Sequence, residues 1–456
     1  MTRRLIITEQ LILDEIEKNK EEFIAFFREL IQTDSYNPPG NEKNVAIKIR
    51  NYLNEVNIKA EVYEYDDNRA NLIASLHDDF EYKNLLFNGH MDVVPPGSVE
   101  DWKYPPLSAL IKRNKYIYGR GATDMKGGLA AMVCSLKLLK KVNIDLKGNL
   151  ILNAVADEEM GGTGTNWSLN NPLKSKKINF TIIGEPTSLK PLPIAIMVGE
   201  RGRMVVKVTT NGVSSHASMP FMGKNAIYMM SDIIQNLDLL EEYILSIKPP
   251  LSVDKLKNLV AESFPSYEVF EKIYNDQIML QNVLLALTKF TKSITIIKGG
   301  IKDNVVPDKC EAFIDFRLLP GQKKDNIINA LNRIIEQDLH YHIRSEQEGK
   351  KNETYVDLEI VQVSEPSYWS EWESSDDLKE LRGIIDNIFG VKSFIMIYPA
   401  SADAHYIRNN GFCKSTILLG PGNGSTAHSI DENIEISDYI NAIKVYSLFA
   451  YKYLKN

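Results

Sequence analysis

The recurrence of apolar positions divides the chain into helices and strands in a repeating order. Over 12–32 apolar residues return every three or four positions, with Ile16, Phe23, Phe26, Phe27, Leu30 and Ile31 on one side, which predicts a single helix. The run S-Y-N-P-P-G at 35–40 breaks it, and 44–56 predicts a second amphipathic helix. Short β-rich runs follow at 60–65, 71–76, 84–87, 116–118, 150–155 and 180–183, with an amphipathic helix at 129–141 among them. Helices alternating with buried apolar strands predict a three-layer α/β/α domain.

From about 199 the pattern changes. Strands at 204–210, 293–298, 311–318 and 355–363, with helices at 223–245 and 323–337, give the order β-α-β-β-α-β. That order predicts an inserted ferredoxin-like α+β domain over 199–365. Between its first helix and second strand lies an extra segment, 247–290, with Pro249-Pro250 and later helical periodicity, which reads as a packing elaboration or an interface. The first domain, begun over 1–198, resumes over 366–456 with a helix at 378–389, strands at 394–397 and 415–419, and a closing helix at 436–453.

Composition narrows the class. The 456 residues are too many for one core. A hydrophobic share of 44% and a charged share of 25% suit a soluble globular chain, and a net charge of -7 gives no basic footprint for nucleic acid or an anionic membrane. Cys134, Cys310 and Cys413 are far apart and fit neither a disulfide framework nor a zinc-thiolate site, so a reducing cytoplasm is expected. The apolar run near the start is only three residues long, too short for a signal-peptide core, and no stretch approaches a membrane span.

Candidate chemistry collects where apolar strands stop. After the run at 85–87 comes H-x-D, His90 and Asp92. Positions i and i+2 of a strand face the same way, so Asp92 can hydrogen-bond one ring nitrogen of His90 and leave the other for a metal; an isolated H-x-D also describes a solvated turn. Asp124 lies among the glycines of G-R-G-A-T-D-M-K-G-G, between a strand and a helix, where a carboxylate can sit between two cations or simply cap the helix. Glu158 and Glu159 follow the strand at 150–155; as extended neighbours they point apart, one able to hold a metal and the other able to act as a general base, unless they merely open a helix. Glu185 follows the strand at 180–183. Four successive strand ends thus carry His90, Asp124, Glu158 with Glu159, and Glu185, and open α/β sheets gather their sites at such ends.

Taken in order, G-H-M-D-V-V-P (89–95), G-R-G-A-T-D-M-K-G-G (119–128), A-D-E-E-M-G-G (156–162), G-E-P-T (184–187), S-S-H-A-S (214–218), N-V-V-P (304–307) with D-F-R (315–317), and A-H-S-I-D-E-N (427–433) resemble the zinc amidohydrolases and peptidases. That family includes acetylornithine deacetylase, succinyl-diaminopimelate desuccinylase, aminoacylase and glutamate carboxypeptidase. The resemblance runs from about residue 20 to the C-terminus, with the extra segment as the mismatch in length. It implies a metallohydrolase catalytic domain with a lid and dimerisation domain, and a homodimer formed through that lid. It implies that Asp124 bridges two zinc ions, with the peptide bond after it often cis. His90 and Glu185 would complete one metal position, Glu159 and His428 the other. Glu158 would be the general base that activates water, and Asp92 would orient His90. The donor set favours zinc, and cobalt or manganese can also bind. His216 would help stabilise the oxyanion, commonly in the partner's site, if it is not simply a surface histidine. Arg317 and Asn304 would hold the substrate's carboxylate, unless they form an ion pair and a turn, and Ser401 and Asp403 would line the pocket. His405 reads as a loop histidine, and His77, His340 and His342 as solvated. The expected activity is hydrolysis of the amide bond of an N-acyl amino acid, with a dipeptidase or carboxypeptidase acting on short peptides as the alternative.

Overall fold

Asn84–His90 is buried along its whole length and forms the middle of a nine-stranded mixed sheet. The computed structural model describes residues 2–77, 82–190, 192–244, 248–344 and 354–455. The strand order is Ala60–Asp66, Arg69–Ser75, Asn149–Val155, Asn84–His90, Phe180–Ile183, Thr416–Leu418, Ala195–Glu200 and Ser367–Tyr368, with Phe394–Tyr398 also paired to Ala195–Glu200. The four from Asn149–Val155 to Thr416–Leu418 run parallel to one another. Alternate residues of Asn84–His90 point to opposite faces, and all are buried, so helices cover both faces of the sheet.

Helix Lys126–Lys141 packs between Lys20–Gln32 and Ile436–Leu454. The sequence suggests an amphipathic helix there; in the fold every residue from Lys126 to Leu139 is buried. Lys137 resolves the conflict by lying along the core and carrying its ammonium out to Glu22 (2.8 Å) and Glu55 (2.6 Å). The single helix expected over 12–32 is two, Thr2–Lys18 and Lys20–Gln32, which meet at Asn19.

A second sheet is built from Thr291–Gly299, Lys309–Leu318, Gly202–Asn211 and Tyr355–Ser364, all antiparallel in that spatial order. This is the ferredoxin-like arrangement. Helices Ala226–Asn236 and Lys324–Asn332 cover one face and share a separate core with Met204, Val206, Ile314 and Phe316. Along Lys309–Leu318 burial alternates, so Asp315 and Arg317 stand together on the other face.

The segment around 247–290 forms three helices, Val253–Ala261, Tyr267–Asp276 and Ile278–Ala286. Although it interrupts the ferredoxin-like order, Leu256, Val260, Phe270 and Leu284 join the core of the nine-stranded sheet, and Val253–Ala261 packs on Phe394–Tyr398. It elaborates the first domain rather than the ferredoxin-like one. Among the described residues no helix is long and apolar enough to cross a membrane.

Candidate metal centre

Parallel strands bring their carboxyl ends to one edge of the large sheet. His90 ends Asn84–His90, and Glu185 follows Phe180–Ile183 after one glycine. Glu158 and Glu159 follow Asn149–Val155 through Asp157, whose φ of 68° turns the chain sharply. Asp124 departs from the expected pattern. The strand before it, Tyr116–Tyr118, belongs to a separate three-stranded sheet with Leu110–Lys112 and Asn433–Glu435, and Asp124 arrives at the N-terminus of Lys126–Lys141. Three strand ends and one helix start therefore converge. The helix comes this close because Gly128 has no side chain: a Cβ there would lie 2.0 Å from the carbonyl oxygen of Gly184, the residue before Glu185.

Asp124 stands between two histidines. Its Oδ1 lies 3.1 Å from His90 Nε2 and its Oδ2 3.3 Å from His428 Nε2. Around His90 Nε2 are also Glu185 Oε1 at 3.6 Å and Glu158 Oε2 at 3.9 Å. The two Glu159 oxygens lie 3.2 and 3.1 Å from His428 Nε2. Two overlapping groups offer donor atoms all within 4.8 Å of one another: His90 with Glu158 and Glu185, and His90 with Asp124 and Glu159. The Asp124–Met125 peptide bond is cis.

This crowding of acids sets the charge state. Burial first, then Glu185, Asp403 and Glu159, push the Glu158 carboxyl well above its ordinary range against the pull of His90. Burial and Asp124 do the same to Glu185. Burial works against ionisation of Asp124, yet the bonds to His428 and His90 hold its carboxyl below the usual range. Asp124 and Glu159 raise His428 to about 10. A cation fits these surroundings: the donors are the nitrogen and oxygen ligands of zinc-like ions, and Glu185 Oε1 is buried with no hydrogen-bond partner among the described residues.

A cleft of about 370 Å³ opens over these groups. Glu158, Glu159 and His428 form one side, Arg203, Arg317 and Gln362 of the second sheet another, and Ser401, Asp403 and His405 a third. Asp315 carries both arginines, accepting from Arg203 Nε through one oxygen and from Arg317 Nε through the other, each at 2.7 Å. Asp403 is buried and accepts from Thr165 Oγ1 at 2.6 Å. His216 and Asn304 do not line this cleft. They lie together and exposed on the second domain, where Ala217 N–H donates to the Asn304 carbonyl at 3.0 Å and His216 Nδ1 meets Ser218 Oγ at 2.7 Å. His405 is not a loop histidine: it is buried in the short helix Ala404–Asn409, with Nδ1 2.7 Å from the Ala402 carbonyl.

The family model described as peptidase family M20/M25/M40 matches residues 86–452. The chain belongs to this family. Membership makes it a hydrolase acting on amide bonds. A relative from Staphylococcus aureus (strain MSSA476), a probable succinyl-diaminopimelate desuccinylase, is 30% identical over 452 residues, covering 96% of this chain and 98% of its own. Two solved structures share the fold. The M20 family metallo-carboxypeptidase Sso-CP2 from Sulfolobus solfataricus has a TM-score of 0.76 at 21% identity, covering 95% of this chain and 99% of its own. Human carnosine dipeptidase 1 has a TM-score of 0.74 at 16% identity, covering 98% and 99%.

In this M20 chain Asp92 does more than the H-x-D spacing suggests. His90 Nδ1 lies closer to the Asp92 carbonyl (2.9 Å) than to its carboxylate (3.5 Å). The carboxylate accepts the backbone N–H groups of Glu158 (3.2 Å) and Glu159 (3.1 Å) and the Asn37 side chain (2.8 Å). Asn37 in turn donates to Asp157, which also pairs with Arg69. Sequence reading missed Asn37, Arg69 and Arg203, since none stands in a motif. Arg203 stands opposite Arg317 through a strand register that the fold sets and no local pattern marks.

Proposed function

We propose that this protein is a two-zinc hydrolase that releases the acyl group of an N-acyl amino acid, of the acetylornithine deacetylase and succinyl-diaminopimelate desuccinylase type. The single observation that carries the two-ion reading is Asp124, with one oxygen facing His90 and the other facing His428. His90, Asp124 and Glu185 would hold one ion, and Asp124, Glu159 and His428 the other. Bound ions supply Lewis acidity toward water and the scissile carbonyl.

The chain's own residues do the rest. Glu158, at the cleft wall beside the ligands, takes a proton from the attacking water and passes it to the leaving nitrogen. Asp92 fixes the turn that presents Glu158 and Glu159 through their two backbone N–H groups. Arg317, with Arg203 beside it, holds a substrate carboxylate with paired N–H donors, and Ser401 and Asp403 shape the pocket. His216 and Asn304, which lie away from the cleft of their own chain, serve the cleft of a second copy, with His216 stabilising the oxyanion; this is why we infer a homodimer through the lid. Three buried, unpaired cysteines fit a cytoplasmic location, and neither nucleic acid nor membrane is a partner.

The desuccinylase name of the 30%-identical relative favours the deacylase reading. A dipeptidase or carboxypeptidase is the second reading, favoured by the same arginines, which would equally grip a peptide's terminal carboxylate. Metal analysis together with a panel of N-succinyl, N-acetyl and N-formyl amino acids and dipeptides separates them. Two ions with turnover of acyl amino acids supports the first reading, turnover of peptides alone supports the second, and absence of metal after growth with added zinc sinks both.

A further inference from the structure

Glu432 is completely buried, and each of its oxygens has a defined task. Oε1 accepts the backbone N–H groups of Thr123 (2.8 Å) and Asp124 (3.0 Å). Oε2 pairs with Arg120 at 2.7 Å. Arg120, itself 2% exposed and stacked over Trp102, donates onward to the carbonyls of Ser429 (3.2 Å) and His428 (3.4 Å). The arrangement is reciprocal. Arg120 stands four residues before Asp124 and grips the His428 backbone, while Glu432 stands four residues after His428 and grips the Asp124 backbone. His428 needs such a grip, because its side chain is half exposed and its backbone is left-handed, with φ of 59°.

We propose that Arg120 and Glu432 are a positioning pair that locks the segments carrying Asp124 and His428 to each other, and so selectively sets the affinity of the ion position they share with Glu159. This rests on the two-ion reading above. The position around His90 and Glu185 shares Asp124 but not His428, and its other two donors are held without the pair, His90 by Asp92 and Glu185 by its own strand, so it depends less on the pair. Neither member touches a donor side chain; both act through backbone. Outer groups of this kind alter metal affinity about 10–100-fold.

The test is calorimetric titration of Zn²⁺ into chelator-stripped protein, with stoichiometry checked by elemental analysis. The unaltered chain should bind two ions. Glu432→Gln, which keeps the size and one oxygen acceptor but loses the ion pair, should bind the first ion as before and the second about 10–100-fold more weakly. Arg120→Met should do the same. Because either change leaves one buried polar partner alone, the double variant Arg120→Met/Glu432→Gln is made beside them, with thermal unfolding of each followed. A variant that is merely less stable would show an unchanged ratio of the two affinities, and that result overturns the proposal. Equal weakening of both ions overturns it as well, and so does failure of all three variants to fold, which would make the pair a requirement of the fold. Fewer than two ions in the unaltered chain would instead bring down the two-ion reading and the inference with it.

Discussion

Glu159 and His428 are 269 positions apart in the chain, yet a Glu159 oxygen lies 3.1 Å from His428 Nε2. In the ion-free protein the two acids beside it keep His428 charged up to about pH 10. A metal takes the neutral imidazole, so an ion entering here must displace that proton. Near pH 7 binding should therefore release protons, and affinity should rise with pH. Calorimetry of Zn²⁺ binding in buffers of different ionisation enthalpy measures the release. His428→Ala should bind one ion fewer and lose much of that proton release; unchanged stoichiometry would remove His428 from the ligand set.

Glu158 and Glu159 both follow the Asp157 turn but face different neighbours. It lies 3.9 Å from His90 Nε2 and lines the cleft, whereas Glu159 contacts His428. Glu158→Gln preserves shape and neighbours but can no longer accept a proton. Turnover should fall about 10²–10⁴-fold with metal content unchanged. Loss of metal together with rate would make Glu158 a ligand, as its place in the group with His90 and Glu185 would allow.

The motifs were legible because this chemistry needs acids and histidines within a few residues of a chain reversal, and local pattern records both. His90, Glu158, Glu159 and Glu185 follow directly from where apolar strands stop. What local pattern could not record is what the third dimension decides. The stretch 129–141 reads as amphipathic because Lys137, Lys140 and Lys141 break its apolar run, and only packing against two other helices explains the burial from Lys126 to Leu139. The register that sets Arg203 opposite Arg317 depends on strands more than a hundred residues apart. The apolar periodicity near 253–286 predicts buried helix faces but carries no mark of which core receives them.

That core assignment has a measurable consequence. Phe270 is 1% exposed and packs among Phe264, Tyr267 and Tyr274 in the core shared with the nine-stranded sheet. Phe270→Ala should destabilise the protein by about 3–5 kcal/mol, the cost of an unfilled aromatic site. Denaturant unfolding reads this directly. A change under about 1 kcal/mol would mean that the three helices are an independent appendage and not part of the catalytic domain's core.

His405 gives the fold a dependence on acid that is separate from the metal ligands. Burial, helped by Arg408 and opposed by the bond to the Ala402 carbonyl, lowers its imidazole to about 4. Glu200 lies 3.9 Å away but is itself raised to about 8 by burial, so it gives the imidazole little charge to pair with below that pH. The native state thus takes up the His405 proton only near pH 4, whereas the unfolded chain takes it up near 6.5. Between those values the unfolded state binds more protons, so stability rises with pH. The contribution is fully present above about 6.5 and is lost as pH falls through about 4; it amounts to on the order of 3 kcal/mol. Glu200, raised to about 8, works in the opposite direction over the same range, so the His405 loss is read as the difference between the unaltered metal-stripped chain and a non-titrating variant, each unfolded at pH 7 and pH 4.5. His405→Gln, whose amide can still donate to Ala402 but does not titrate, should lose less stability between the two pH values; an equally steep loss in that variant would assign the acid sensitivity to other groups.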